Sequence, residues 1–243
     1  MENNATLTPE QLKAVAAILG NKSEEKGFVK VEVPTKCRWY ETDEISMRSF
    51  TFEDEKAALN PVNKNKNFLN FMLERCVKGI EVDSLFLVDR NYLGYKLKEI
   101  STGSNIQVSL TCGNCGREGN LDVDMNILNI NAVDVDFPIE IDLEEIGKKA
   151  KIIPPKVRDE QFMINFELLC ENVWRFITEI DGVSDDTILN AVIEKLPVKD
   201  IHAILKTVSM AKFGIQNEMN YLCVCGEEQV VEVPLTENFF GSN

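Results

Sequence analysis

The sequence predicts an α+β fold: two short β-hairpins forming a zinc-knuckle platform, treble- or ribbon-like, with a mainly helical remainder. Three observations carry this. Two distant segments share one plan, in which an alternating stretch, a cysteine pair, a glycine, charged turn residues and a second alternating stretch follow in order. Apolar residues elsewhere recur at steps of three and four between recognisable cap residues, as on helices that bury one face. The other alternating runs are short, so any further sheet is small.

The segment TPEQLKAVAAILG (8–20) reads as a helix: Thr8 is placed to cap it, Pro9 fits the first turn, Gln11 completes a capping box and Gly20 stops it. NKSEEKG (21–27) reads as a flexible tether, making 1–27 an appendage. FVKVEV (28–33) alternates as a strand does and stops at Pro34; EISMRSF (44–50) is a second strand. Thr51 opens a helix over FEDEKAAL, whose early acids suit the positive end of the helix dipole, and Asn60-Pro61 closes it. Helices follow over NKNFLNFMLERCVKG (65–79), ending at Gly79, and LFLVDRNYLGYKLKEIS (85–101). Asp83 or Ser84 caps the latter, and Leu85, Val88, Tyr92, Tyr95 and Leu97 fall mainly on one face. Residues 28–104 thus form a first unit of strands and helices.

Residues 126–214 read as a mainly helical insertion. Phe162, Phe166, Leu169, Val173, Phe176 and Ile180 make a continuous seam along QFMINFELLCENVWRFITEI (161–180). Met163, Ile164, Leu168, Trp174 and Ile177 widen the apolar surface, so this long helix is expected to be central to the core or shared with a partner. Gly182 ends it. Ser184 caps a helix over DDTILNAVIEKL, Pro197 interrupts, and KDIHAILKTVSMAKFG (199–214) is the last helix.

The two matching segments are NIQVSLTCGNCGREGNLDVDM (105–125) and NEMNYLCVCGEEQVVEVPL (217–235), and 105–125 with 215–243 form the hairpin platform. Gly116 and Gly226 follow the second cysteine of each pair, where a positive φ turns backbone N–H groups toward thiolate sulfurs. Cys112, Cys115, Cys223 and Cys225 supply the four soft donors of a tetrahedral zinc site. A thioredoxin-type disulfide between Cys112 and Cys115 needs a helix directly after the motif, which the glycines and NLDVDM oppose. An iron–sulfur cluster or unoccupied thiols remain as alternatives. Four thiolates leave zinc no open position, so its contribution is to folding. Binding worth about 10 kcal/mol or more outweighs the roughly 4–5 kcal/mol of closing a loop of about a hundred residues.

The net charge of −14, from 40 acidic and 26 basic residues, repels a phosphate backbone, and no basic cluster offsets it; nucleic acid is excluded as a partner. No apolar run reaches membrane-spanning length, so no membrane partner is expected. The opening residues lack the pattern of a secretory leader. With an odd count of 7 cysteines, this places the chain in a reducing cytosol. Cys37, Cys76 and Cys170 are expected to be small buried hydrophobes. His202 is the only histidine and has no catalytic company; no nucleophile elbow, phosphate loop or zincin motif occurs. DVDMN (122–126) fails as a calcium loop because Ile127 and Val133 stand where glycine and glutamate are needed. DVDFPIEIDLEE (134–145) reads as a half-buried strand and not as paired catalytic carboxylates. The chain is read as a non-enzyme.

The order of motifs resembles the T4-like base plate protein family, the hub proteins of T-even-type contractile-tailed phages, from about Trp39 onward. YETDEISMRSFTFEDEKAAL, SLFLVDRNYLGYKLKEISTGSNIQVSLTCGNCG, PPKVRDEQF, EIDGVSDDTILNAVIEKLPVKDIHAIL and CVCGEEQVVEVPLTENFF carry the resemblance. It implies a structural or assembly component of the baseplate hub. Its partners would be other hub and tail proteins, with oligomerisation open, and it would reside in the host cytoplasm during assembly and in the virion tail if a constituent. An assembly chaperone absent from the mature virion, and an intracellular zinc-ribbon adaptor, are the alternatives. Phe239 and Phe240 would anchor a docking plug or fold back on the core.

Overall fold

A computed structural model describes residues 8–19, 27–63 and 67–233. Residues 21–26 of the tether expected over 21–27, and the Phe239–Phe240 pair, lie outside the described residues. The architecture is α+β, with small, wholly antiparallel sheets.

Helix α1 (Pro9–Leu19) begins as its sequence demands: the Thr8 hydroxyl accepts from the Gln11 N–H while the Gln11 side chain accepts from the Thr8 N–H. The first unit pairs β1 (Val29–Val31), β2 (Ile45–Met47) and β3 (Val77–Lys78) in that order. Between them lie α2 (Phe52–Ala58), capped by Thr51, and α3 (Phe68–Cys76), capped by Asn67. Helix α4 (Leu87–Thr102) follows, entered at Phe86 and not capped by Asp83 or Ser84. Ile45, Met47, Met72, Leu73, Leu93 and Leu97 are fully buried among these elements.

Asp54 ties this unit together. Its carboxylate, 1% exposed, takes two hydrogen bonds from Arg48, at 2.7 and 3.1 Å, and one from Arg75 Nε at 2.7 Å, while capping the Thr51 N–H. One buried acid thereby joins the end of β2, the start of α2 and the last turn of α3.

The chain leaves α4 into hairpin β4 (Asn105–Thr111) and β5 (Glu118–Asp124), passes β6 (Ile130–Asn131), and enters a second sheet of β7 (Ile139–Leu143), β8 (Lys148–Ile152) and β9 (Ile177–Ile180). Helices α5 (Phe166–Asn172), α6 (Asp186–Ile193) and α7 (Val198–Val208) complete this region. Its core of Leu143, Ala150, Ile152, Phe176, Leu189, Ile204 and Val208 is separate from the first. A smaller cluster draws on both regions: Phe86, Val88, Val133 and Met210 are buried in it, and the stacked Trp39 and Phe137 rings pack against it. The chain returns through β10 (Gly214–Ile215), which pairs β6, into hairpin β11 (Glu218–Leu222) and β12 (Glu228–Glu232).

The expected long helix over 161–180 is not formed. Residues Val157–Phe162 make a 3-10 turn, Asn165 starts α5 afresh, Val173–Phe176 is again 3-10, and Ile177–Ile180 is strand β9. The reason is non-local. Ile177 pairs with Ile152 and Ile180 with Ala150, so β-branched residues that would lose side-chain freedom in a helix complete a sheet instead. The seam divides accordingly: Val173, Phe176, Ile177 and Ile180 are buried, whereas Ile164 and Phe166 are exposed. The middle segment therefore carries a three-stranded sheet beside its helices. Asp185, not Ser184, caps α6.

Candidate metal centre

Both hairpin tips fold by local rules visible in their residues. In the first, seven cross-strand pairs run from Asn105↔Asp124 to Thr111↔Glu118; the Cys112 N–H then donates to Arg117 O at 2.9 Å and the Gly116 N–H to Cys112 O at 2.9 Å. In the second, the Cys223 N–H donates to Glu227 O and the Gly226 N–H to Cys223 O, both at 2.8 Å. Gly116 and Gly226 have φ of 67° and 89°, and an added Cβ at either meets nothing within 4 Å. Glycine is required there by conformation and not by space.

The tips face each other because the hairpin stems share the first core: Val108 and Val123 from one, Val231 and Val233 from the other, join a single cluster with α3 and α4. The Tyr95 hydroxyl on α4 donates to Val233 O, fixing the second stem to that helix. All four sulfurs of Cys112, Cys115, Cys223 and Cys225 lie within 4.8 Å of one another. Two approaches cross between the hairpins, Cys112 to Cys225 at 3.7 Å and Cys115 to Cys223 at 3.8 Å. Each hairpin contributes one buried and one exposed cysteine, and all four are free thiols.

These separations are far beyond a disulfide bond of about 2.05 Å. They fit a tetrahedron with metal–sulfur distances of about 2.3 Å, whose edges are about 3.8 Å. The four cysteines could thus hold a metal ion. Backbone N–H groups of Cys115 and Asn114 pull the Cys112 thiol down to about 7. At Cys225 the Glu227 N–H acts in the same direction, but Cys223, burial and the other two thiols outweigh it and push the group up to about 12. The Cys112 thiol is thus eased toward the thiolate while Cys225 is held protonated, an opposition that a bound cation reverses.

The family model for the T4 bacteriophage base plate protein matches residues 29–241. The chain belongs to that family. No curated protein and no solved structure matches it.

Other candidate residues in this baseplate protein lie away from the sulfurs. His202 is exposed on α7. Cys76 is buried as expected, Cys37 is half-buried, and Cys170 is exposed because α5 presents no buried face. The strand expected over 134–145 forms only as β7, from which Glu140 and Asp142 point outward and Glu140 pairs with Lys149; the other acids of the run flank it. Asp89, fully buried in the first turn of α4, is a feature that sequence reasoning missed. It accepts hydrogen bonds from the Thr35 N–H and hydroxyl and from the Tyr40 hydroxyl at 2.6 Å. Burial raises its carboxyl to about 6 in spite of these donors. The only signal was an acid at the start of an apolar helix, which resembles an ordinary dipole partner. Among the described residues no helix is long and apolar enough to cross a membrane.

Proposed function

We propose that this baseplate protein is a structural or assembly component of the tail baseplate hub, acting through protein–protein contacts. Cys112, Cys115, Cys223 and Cys225 hold a structural zinc ion. The observation that carries this reading is the family match across 29–241. The convergence of four thiols supports zinc, and supports architecture over reaction, since a four-thiolate site has no open position for water or substrate. Bound zinc would supply a cross-link between hairpins separated by the whole of the middle segment, forming a zinc-knuckle platform from 105–125 and 215–243. No enzymatic activity belongs to this reading, and its partners are other hub and tail proteins. The protein works in the host cytoplasm during assembly and in the tail itself if it is a constituent.

Elemental analysis of the purified protein tests the metal, with one zinc per chain expected. Binding to purified hub components tests the role. Its absence would overturn the hub reading in favour of an adaptor with other partners. Quantification in purified virions distinguishes a constituent, present in stoichiometric amount, from an assembly chaperone, which is absent.

A further inference from the structure

The two hairpins of the metal platform have opposite outward faces. On β4–β5 the outward residues satisfy each other across the strands: Gln107 donates to Asp122 at 3.1 Å, and Ser109 meets Asn120 at 3.0 Å. On β11–β12 the outward rungs are Glu218↔Glu232, Asn220↔Val230 and Leu222↔Glu228. Leu222 and Val230 are each 63% exposed there, and Val224 at the adjoining tip is 73% exposed. Two carboxylates stand directly opposite one another at the Glu218↔Glu232 rung, an arrangement that destabilises an antiparallel pair. Glu232 accepts one hydrogen bond, from Asn217 at 3.0 Å, but neither acid forms a salt bridge among the described residues.

We infer that the outward face of β11–β12 docks a segment of another tail protein that alternates basic and apolar side chains. Its apolar residues would cover Leu222, Val224 and Val230, and a lysine or arginine would enter between Glu218 and Glu232. This deepens the reading above and rests on its claim that the protein acts through protein contacts. Charge selects the occupant. A second copy of a chain carrying −14 would bring more acid to an acidic rim, and residues 234–243 contain Glu237 and no lysine or arginine. A cationic partner relieves the like-charge rung while its apolar side chains leave water.

The test uses the full-length zinc-loaded protein and a short fluorescent peptide alternating lysine and valine, with an aspartate–valine peptide as the control. Anisotropy should show binding of the basic peptide alone. The triple variant Leu222→Ser/Val224→Ser/Val230→Ser should weaken binding by about tenfold or more, and Glu218→Gln should reduce its salt dependence. Zinc content and thermal stability of each variant report whether the platform still folds. Unchanged binding by a folded triple variant overturns the inference. So does equal weakening by Gln107→Ala/Asn120→Ala on the opposite hairpin. Concentration-dependent dimerisation abolished by the triple variant would assign the face to a second copy. A large gain in peptide affinity on deleting 234–243 would assign it to the chain's own end. If the peptide result fails while wild-type protein still binds purified hub components, the docking face is wrong and the hub reading stands. If hub binding also fails, the reading itself falls.

Discussion

Replacing Cys223 with serine removes one of four converging thiols, and the structure indicates how far the damage should spread. Structural zinc binding is worth about 10–16 kcal/mol, and the cross-link it provides across about a hundred residues about 4–5 kcal/mol in chain entropy alone. The hairpins also hold the body through contacts that need no ion. Val108, Val123, Val231 and Val233 are at most 7% exposed. At about 1.5–3 kcal/mol per buried side chain they contribute roughly 6–12 kcal/mol, an upper estimate because unfolded chains already bury some surface. Loss of a bound ion would therefore remove about as much as the packing supplies, and the two hairpins should open while the rest stays folded. The core around Leu143, Ile152 and Phe176 is a separate cluster containing no hairpin residue. Hydrogen exchange by mass spectrometry should show β4, β5, β11 and β12 exchanging at least about a hundredfold faster in Cys223→Ser, with β8 unchanged. Native mass spectrometry should show less than one metal per chain. Undiminished protection in the hairpins with metal content intact would refute the cross-link. Equal loss of protection in β8 would refute the claim that the rest stays folded.

Asp54→Ala leaves Arg48 and Arg75 without their shared buried acid and should cost about 3–5 kcal/mol in denaturant unfolding; a loss below about 1 kcal/mol would mean water replaces the carboxylate. Asp89 has its folded-state carboxyl raised to about 6 from 3.8, so its contribution is fully present below about pH 3.8 and is lost as pH rises through about 6. Relative to Asp89→Asn, the wild type should lose about 3 kcal/mol between pH 3 and pH 7, and parallel pH–stability curves would refute this. Gly79→Ala, at φ +98° with the new Cβ 2.4 Å from Glu44 O, should destabilise far more than Gly103→Ala, at φ +95° with nothing within 4 Å. The second change should cost about 1–3 kcal/mol, and equal losses would show that backbone strain alone matters. Phe166→Ser should change stability by less than about 0.5 kcal/mol, whereas Phe176→Ala should cost about 3–5 kcal/mol; comparable losses would restore the continuous helix.

What could be read in advance was governed by neighbouring residues. The Thr8–Gln11 box, the Thr51 cap and the turns at Gly116 and Gly226 each involve partners a few positions apart, so composition and spacing suffice to find them. The convergence of Cys112, Cys115, Cys223 and Cys225 was legible for a related reason: thiol pairs on tight turns restrict what else they can do. Non-local pairing was not legible. KKAKI (148–152) looks like a charged surface run, yet Ala150 and Ile152 are fully buried at the centre of the second sheet, while its lysines pair with acids of β7 and β9 or of the following turn. That strand recruits Ile177–Ile180 away from helix, and the apolar rhythm of 161–180 contains nothing that announces it. Strands β1 and β2 proved shorter than their alternation implied, because pairing ends at Val31 and Met47.

The return of the chain to the β4–β5 hairpin explains why so distant a cysteine pair meets its partner. Before β11 begins, Gly214 pairs with Asn131 and passes so close to α4 that a Cβ would lie 2.4 Å from Val88 Cγ2. Only glycine permits both that approach and the φ of 71°. Immediately beyond, the Gln216 N–H donates to Asn129 O at 2.8 Å, and the Val233 N–H donates to Asn217 O at 2.8 Å. The base of the second hairpin is thus aligned beside the residues that follow the first, independently of the sulfurs. A metal ion bound at the tips would close a gap that the stems have already narrowed, so less of its binding free energy would be spent on ordering the chain. Bulk at Gly214 should therefore weaken metal affinity without touching a single ligand, since it displaces the stem on which Cys223 and Cys225 are carried.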